Sequence, residues 1–368
     1  MHKLTFYPLG NADCCLIDLE NKKKILFDYA NCKNPDDDED KRVDLVSALK
    51  SDLEKDKRDY YDVVAFTHAD DDHIGKFSEF FYLQHAEKYQ EKGRIKINDL
   101  WVPAALIIEE GLEGEAAILR AEARYRLKEG KNIMVFSRPD RLKDWLEKEG
   151  IKPEERESLI TDAGRLVPGF DKLTEGVEFF VHSPFAVRQE DKLIDRNEAS
   201  LIMQAVFSYD NVDTRLFLSN DGTYEILSDI VNITRGHKRA DRLGWDIMKI
   251  PHHCSYLSLS DEKGKEITEP VEEVKFLFDQ GGEKGLLVST SDIIPDTDEE
   301  QPPHKQAASY YKKRADEIKG EFVVTMEHPN KVNPQPIVIN VDSYGATLRK
   351  SIAVGGFDVI NRSAHRAG

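Results

Sequence analysis

A short apolar strand that runs directly into imidazoles and carboxylates constrains this chain more than any other feature. Residues 63–66 are apolar, and positions 68–73 read H-A-D-D-D-H. These charged groups, crowded at the end of a buried strand, would repel and desolvate one another unless a cation lay among them, and a divalent metal is the usual one. In a loop after the strand, His68, Asp70 and Asp72 can turn to one side, and His73 follows in the next turn. The stretch therefore predicts a metal site.

The aspartates also have a purely structural interpretation. Asp70, Asp71 and Asp72 would be N-cap and first-turn residues of a helix that begins near Ile74, where carboxylates favour the positive end of the helix dipole. That interpretation leaves both histidines without a role, because neither capping nor burial selects imidazole. We therefore favour the metal site.

Composition limits the class of protein. The chain has 368 residues, of which 40% are hydrophobic and 33% charged, enough for one large domain or two modest ones. No apolar run approaches the roughly 20 residues that span a bilayer, and the first residues lack the apolar core of a signal peptide. We therefore expect a cytoplasmic protein with no membrane partner. The net charge of −17 argues against broad electrostatic contact with duplex nucleic acid. Oligomeric state is left open.

Apolar spacing predicts the order of the elements. A β-meander over residues 4–28 precedes an amphipathic helix over 43–53, and another helix runs from Phe77 towards Tyr89. Residues 104–170 have a charged, helical pattern and are interpreted as a helical insertion. Strands are then predicted at 177–182, 200–207, 215–219, 245–250, 285–289 and 322–324, with a helix over 306–318 and a hairpin over 337–352.

Two later strands also end in metal-type residues. The strand at 215–219 is followed by Asp221, which on its own is also typical of a turn. The strand at 245–250 is followed by His252 and His253, although one of such a pair can simply hydrogen-bond to backbone. Three strand ends therefore carry candidate ligands. A basic run between them, residues 235–242, either contacts phosphate or is a solvated helix face.

Blocks in a fixed order along residues 4–330 resemble a known family. Positions 10–13 read G-N-A-D, 27–28 F-D, 68–75 H-A-D-D-D-H-I-G, 197–202 N-E-A-S-L-I, 219–221 S-N-D and 249–255 K-I-P-H-H-C-S, and His304 lies beside proline. Together they resemble the metallo-β-lactamase fold hydrolases, with their H-x-H-x-D-H signature. More narrowly, they resemble the soluble hydrolase domain of ComEC-type DNA-uptake proteins.

The resemblance implies an α/β fold, a four-layer αββα metallo-β-lactamase sandwich, formed by residues 1–368 as a single domain with the helical insertion inside it. It also implies two divalent metal ions at the edge of the sheets. His68 and Asp70 would bind the first metal and Asp72 and His73 the second. Asp221 would bridge both, and His252 or His253 would complete the second site.

Two departures from the family pattern matter. Asp70 replaces the second histidine of the signature, and a hard carboxylate oxygen shifts the preference from zinc towards manganese, iron or magnesium. The second departure is that no residue clearly matches the separate histidine that many relatives use between the signature and the bridging aspartate. His182 is nearest but looks structural, and Asn197 is the alternative.

The resemblance implies hydrolysis by a hydroxide held between the metals. Asp72 would orient or deprotonate the water, and His304 or the unligated member of His252 and His253 would protonate the leaving group. The ComEC-like blocks favour a phosphodiester substrate, either nucleic acid or nucleotide. Two alternatives stay open: a metallohydrolase of a non-phosphate ester, and a catalytically degenerate scaffold that binds a partner.

Overall fold

The strands of the computed structural model, which describes residues 1–189 and 196–349, form two sheets. The larger sheet begins with an antiparallel meander and continues with parallel strands. Its members are β1 (His2–Phe6), β2 (Cys15–Asp18), β3 (Lys24–Phe27), β4 (Tyr60–Ala65), β5 (Lys96–Pro103), β6 (Ile133–Phe136) and β7 (Ile160–Thr161), and it is completed at the β1 edge by the last two strands of the described chain.

The smaller sheet contains the six strands between these two segments. They are β8 (Val177–Ser183), β9 (Ile202–Tyr209), β10 (Val212–Leu218), β11 (Trp245–Lys249), β12 (Gly281–Ser289) and β13 (Glu321–Val324). Strands β10 to β13 are parallel, whereas β8 and β9 are antiparallel to their neighbours. The chain then returns to the larger sheet as β14 (Ile337–Asp342), which pairs with β1, and β15 (Gly345–Leu348).

Helices cover the outer face of each sheet. The larger sheet is covered by α1 (Leu45–Lys55), α2 (Asp71–Ile74), α3 (Phe77–Phe80), α4 (Ala104–Ile108), α5 (Gly114–Glu129) and α6 (Asp140–Lys148). The smaller sheet is covered by α7 (Tyr224–Gly236), α8 (Glu272–Phe278) and α9 (Lys305–Glu317). None of these described helices is both long and apolar enough to cross a membrane.

The alternation of side chains along β4 shows how the layers are built. Val63 and Ala65 belong to the buried cluster between the two sheets, whereas Val64 belongs to the cluster beneath the helices. Successive strand residues point to opposite faces, and both faces of β4 are covered, so its apolar run is nearly continuous. The expected mixed α/β class, with two packed sheets and outer helices, is confirmed.

The segment 104–170 differs from the helical insertion predicted for it. It does contain α4, α5 and α6, but it also contributes β6 and β7, which extend the larger sheet in parallel to β5. The four residues of β6 are all buried. This segment therefore continues the sheet as well as adding helices, because β6 pairs with β5 and β7 pairs with β6 instead of joining the flanking helices.

The helix predicted from Phe77 towards Tyr89 is also shorter than expected. It ends at Phe80, because Phe81 forms a bridge with Ile95 and the N–H of Tyr82 donates to the carbonyl of Ile95 at 2.8 Å. The end of the predicted hairpin, from residue 350 onwards, lies outside the described residues.

Candidate metal centre

The candidate ligands meet where strands of both sheets end. His68 and His73 follow β4 of the larger sheet, whereas Asp221 follows β10 and His253 follows β11 of the smaller one. The carboxyl ends of parallel strands lie at one edge of a sheet, and ligand sites in α/β proteins form there. All four side chains are buried. The packing of the two sheets therefore brings together residues that are nearly 200 positions apart.

Four ligand atoms converge in the centre of this cluster. The potential ligand atoms of Asp13, His73, Asp221 and His253 all lie within 4.8 Å of one another. The Nε2 atom of His73 is 3.2 Å from Oδ1 of Asp221 and 3.5 Å from Oδ2 of Asp13. The Nε2 atom of His253 is 3.9 Å from Oδ2 of Asp221. These distances make the group compact enough to surround one cation.

A second group shares His73 with the first. Ligand atoms of His68, Asp72 and His73 also lie within 4.8 Å of one another. The rings of His68 and His73 are 3.9 Å apart between centroids, and Nε2 of His68 is 3.8 Å from Oδ2 of Asp221. The two groups are therefore adjacent, with His73 common to both and Asp221 close to both.

Each of the three buried imidazoles is held from behind through Nδ1. His73 Nδ1 donates to Oδ2 of Asp28 at 2.8 Å, and His253 Nδ1 donates to the carbonyl of Thr290 at 2.7 Å. His68 Nδ1 is 3.3 Å from Oγ1 of Thr67. Such outer contacts fix the orientation of metal-binding histidines in general. All three rings consequently present Nε2 to the centre of the cluster.

Several polar atoms of the cluster lack hydrogen-bond partners. Four are buried without one: Nε2 of His68, Nε2 of His73, Oδ1 of Asp221 and Oδ1 of Asp13. Unpaired buried polar atoms are costly, and imidazole nitrogens with carboxylate oxygens are ligands that divalent first-row metals accept. The donor set therefore fits a metal, and a cation at its centre would satisfy these atoms together.

The electrostatics of the cluster are dominated by its opposite charges. Burial would lower the pKa of His73, but Asp28 and Asp221 outweigh it and raise that pKa well above its usual range. Burial would likewise raise the pKa of Asp221, but the charges of His73 and His253 lower it well below its usual range. The pKa of His253 is raised to about 9 despite its burial, through Asp221 and Asp72. Each charged group of the cluster therefore stabilises the charged form of its opposite neighbours.

Asp72 is the most accessible member of the two groups. Its side chain is 32% exposed, and Oδ2 is 2.9 Å from Nε2 of His253. Although partial burial would raise the pKa of Asp72, His73 and His253 lower it, so the carboxylate is ionised at neutral pH. Asp72 can therefore accept a hydrogen bond from a water molecule that enters from solvent.

Asp70 lies at the rim, outside both groups. It is the N-cap residue of α2, but its side chain makes no capping hydrogen bond. Its Oδ1 instead accepts a hydrogen bond from Nη1 of Arg196 at 2.5 Å, and its Oδ2 is 3.6 Å from Nε2 of His68. The helix-cap interpretation therefore explains why Asp70 lies at the beginning of α2. It does not explain why the carboxylate of Asp70 accepts from Arg196 instead of from the helix backbone.

Two predicted site histidines lie outside the converging groups. His252 is adjacent to His253, but its ring centroid is 6.3 Å away and its Nδ1 is buried without a partner. His304 caps α9, and both its ring nitrogens pair with backbone: the N–H of Tyr256 donates to Nδ1 at 3.3 Å, and Nε2 donates to the carbonyl of Glu300 at 3.2 Å. The structure thus brings His253, and not His252 or His304, into the cluster.

The backbone of the 252–254 loop is unusual. His252, His253 and Cys254 have φ values of 46°, 50° and 66°, a conformation uncommon for residues with a Cβ atom. Strain of this kind is found mainly at functional sites. The N–H of His252 donates to the carbonyl of Asn220 at 2.8 Å, which ties this loop to the loop that carries Asp221.

Three site residues lie in the blocks that carry the family resemblance but were given no role in the sequence analysis: Asp13, Asp28 and Lys249. The Nζ atom of Lys249 is 2.6 Å from Oδ2 of Asp13, and both side chains are buried. One further signal was available, because lysine is rarely buried without a charged partner, and Lys249 follows the apolar residues Ile247 and Met248 at the end of its strand. The identity of that partner depends on how the two sheets pack, which no local pattern encodes.

The remaining predicted features lie away from the cluster. His182 is buried, and its Nε2 donates to the carbonyl of Arg242 at 3.0 Å, as a structural histidine would. The basic run 235–242 begins at the last turn of α7, a helix about 20 Å long whose first turn follows Asp221. The run therefore does not line the cluster.

Comparisons with known proteins add little. No protein-family model matches the chain, and no curated protein matches it. One solved structure similar to it is the crystal structure described as "Putative metal-dependent hydrolase" from Parabacteroides distasonis ATCC 8503. The two chains share 9% sequence identity with a TM-score of 0.34, over 87% of this chain and 92% of that one. A similarity this weak does not assign a function to the chain, so the functional proposal rests on the geometry of the site.

Proposed function

We propose that this chain is a metal-dependent hydrolase of phosphodiesters, either nucleic acid or nucleotide, with two divalent cations at the cluster. The observation that carries the proposal is the convergence of Asp13, His73, Asp221 and His253, with several of their ligand atoms buried and unpaired. The two packed sheets, outer helices and cluster at the strand ends support a metallo-β-lactamase type of sandwich. The ComEC-like sequence blocks support the phosphodiester.

The proposed ligands are the two groups, with the shared His73 assigned to the first and Asp221 added to the second. His73, Asp221, His253 and Asp13 would hold one cation, and His68, Asp72 and Asp221, with Asp70 at the rim, would hold the other. This makes His253 the ligand and His252 the unligated histidine. Manganese, iron or magnesium suits the many carboxylates, and zinc suits the imidazoles. When bound, such cations polarise the substrate and lower the pKa of water.

The residues of the chain position the water and the leaving group. Asp72 is ionised and reaches solvent, so it orients the attacking water by accepting a hydrogen bond from it. His252 is half-buried, and burial lowers its pKa, so it is neutral at neutral pH and can donate a hydrogen bond from one ring N–H to a leaving group, which takes its proton from solvent. His304 does not suit this role, because both its nitrogens are engaged by backbone.

The first prediction concerns metal content and turnover. Chelator-stripped protein is reconstituted separately with manganese and zinc, and metal per chain is measured by elemental analysis, together with hydrolysis of bis(p-nitrophenyl) phosphate. We expect two metals per chain in the wild type. In the double variant Asp72→Ala/Asp221→Ala we expect loss of metal and a fall in turnover of at least about 100-fold.

The control is Asp62→Ala, which removes a carboxylate at the beginning of β4, the opposite end from the cluster. It should leave metal content and turnover unchanged. If the protein binds metal and hydrolyses a carboxylic ester but not the phosphodiester, the proposed substrate class is wrong, and the protein is a metallohydrolase of a non-phosphate ester. Absence of metal in the wild type under both conditions would overturn the catalytic proposal and leave the partner-binding scaffold.

A further inference from the structure

At the rim of the cluster, a partly exposed arginine joins two carboxylates. Arg196 Nη1 donates to Oδ1 of Asp70 at 2.5 Å. Its Nη2 donates to Oε1 of Glu109 at 2.9 Å, and its Nε is shared between Oε1 at 3.1 Å and Oε2 at 3.2 Å. These contacts use three of the five guanidinium N–H groups. The side chain of Arg196 is 32% exposed, and no residue of the described ranges 1–189 and 196–349 accepts from the remaining two N–H groups, which a ligand arriving from solvent can reach.

Glu109 holds this guanidinium independently of Asp70. It follows α4 directly, its side chain is only 13% exposed, and its carbonyl accepts a hydrogen bond from Nη1 of Arg120 at 2.7 Å. The forked contact between Glu109 and Arg196 is the geometry in which arginine binds carboxylates most firmly. A cation that engages Asp70 would therefore leave Arg196 anchored at the same rim.

The position of Arg196 matters because most of the charged side chains around the cluster are carboxylates. Asp13, Asp70, Asp72 and Asp221 surround the centre, and the whole chain carries a net charge of −17. With two divalent cations bound, these four carboxylates would largely offset the charge of the cations, so the centre would offer an anionic ligand little net positive charge. Lys249 also touches the cluster, but its side chain is only 3% exposed and paired with Asp13. Among the described residues that form ion pairs with the carboxylates around the centre, Arg196 is the cation that solvent reaches.

We propose that Arg196 binds the negatively charged group of the substrate and thereby selects phosphodiesters over neutral esters. This inference rests on the proposed function and gives its site a substrate class. A guanidinium presents paired N–H groups whose spacing matches two oxygens of a phosphate, whereas a neutral ester offers a single carbonyl oxygen and no charge. Arg196 thus acts as a specificity residue beside the metal ligands.

Binding of diphenyl phosphate, a phosphodiester anion, tests this directly. The Kd is measured by titration calorimetry for wild type, Arg196→Ala and Arg196→Lys, each as manganese-loaded and as chelator-treated protein. We expect the Kd of the loaded protein to rise about 10-fold or more in Arg196→Ala, and to rise less in Arg196→Lys, which keeps the charge and loses the fork. Binding of trimethyl phosphate, which is neutral, should be the same in all three.

The matched control is Arg58→Lys, which alters an arginine paired with Asp62 at 2.6 Å, at the opposite end of β4 from the cluster. It should bind diphenyl phosphate as the wild type does. Equal Kd values for wild type and Arg196→Ala, or an equal loss for the neutral ester, would overturn the proposal. If the wild type takes up no metal, the proposed function fails, and the chelator-treated proteins alone decide the role of Arg196.

Discussion

Asp28 cannot reach a substrate, yet it controls the most central histidine of the cluster. It is buried, with a φ of 58°, and it accepts hydrogen bonds at 2.8 Å from the N–H of Thr67, from Oγ1 of Thr67 and from Nδ1 of His73. Both carboxylate oxygens of Asp28 are thus engaged as acceptors. Asp28 therefore fixes the ring of His73 with Nε2 towards Asp13 and Asp221.

The variant Asp28→Asn tests this positioning role. An amide has one acceptor oxygen instead of two, and its NH₂ group would face a donor, so His73 should lose its fixed orientation. We expect metal affinity to fall about 10- to 100-fold, as measured by competition with a chromogenic chelator. The variant Asp62→Asn, which alters a carboxylate that also accepts a backbone N–H, should not change affinity. Unchanged affinity in Asp28→Asn would contradict the role.

His182 gives a prediction about pH. Burial, and more weakly the charge of Arg242, lower the pKa of His182 to about 3 from its ordinary 6.5. The folded protein therefore keeps this histidine neutral at pH values where the unfolded chain binds a proton. The free energy of unfolding should decrease as the pH falls from about 6.5 towards 3, and this contribution should be fully present only above that range.

The measurement is urea unfolding at roughly pH 7 and pH 5 for wild type and His182→Gln. Glutamine keeps an N–H that can donate to the carbonyl of Arg242 and does not titrate. The variant should therefore lose less stability between the two pH values than the wild type loses. The same loss in both proteins would show that His182 is not the titrating group.

At the scale of elements, a buried ion pair joins the two sheets at the cluster. Asp13 lies in the loop between β1 and β2, and Lys249 ends β11 of the other sheet. The N–H of Asp13 also donates to the carbonyl of Asp72 at 2.9 Å, so the same loop is fixed to the signature stretch. The pair therefore sets how closely the two strand edges approach each other.

Lys249→Met should strongly destabilise the metal-free protein. Removing one partner leaves the carboxylate of Asp13 buried without its strongest counter-charge, at a cost of about 3–5 kcal/mol in the free energy of unfolding. The double variant Lys249→Met/Asp13→Leu replaces both charges and should recover most of that loss. Urea unfolding of the chelator-treated proteins measures both effects. A single variant as stable as the wild type would show that the pair contributes little.

Sequence patterns predicted the elements where local signals were consistent. The strands before His68, Asp221 and His252 were placed within a few residues, because apolar runs bounded by turn residues are local information. The predictions of secondary structure were wrong where contacts between distant segments decide the structure. Phe81 leaves its helix to pair with Ile95, and β6 joins the sheet although helices flank it on both sides. Neither partner could be identified from the neighbouring sequence.

At the scale of the whole molecule, the candidate site also divides into features that local sequence predicts and contacts that only the tertiary structure decides. The strand ends indicated which loops meet, and those loops do meet at one edge. Which side chain of each loop faces the centre was not predictable, because positive φ angles at His252 and His253 decide it. The pairing of Arg196 with Glu109 and Asp70, like that of Lys249 with Asp13, joins segments from distant parts of the chain.

The span of the cluster has a consequence for folding. Its members run from residue 13 to residue 253, and β1, next to the first of them, pairs with β14 near the end of the described chain. The cluster can form only after both sheets have assembled, so an ion that recognises it binds the finished fold and not its intermediates. By mass action, the free concentration of that ion would then set the proportion of chains that stay folded.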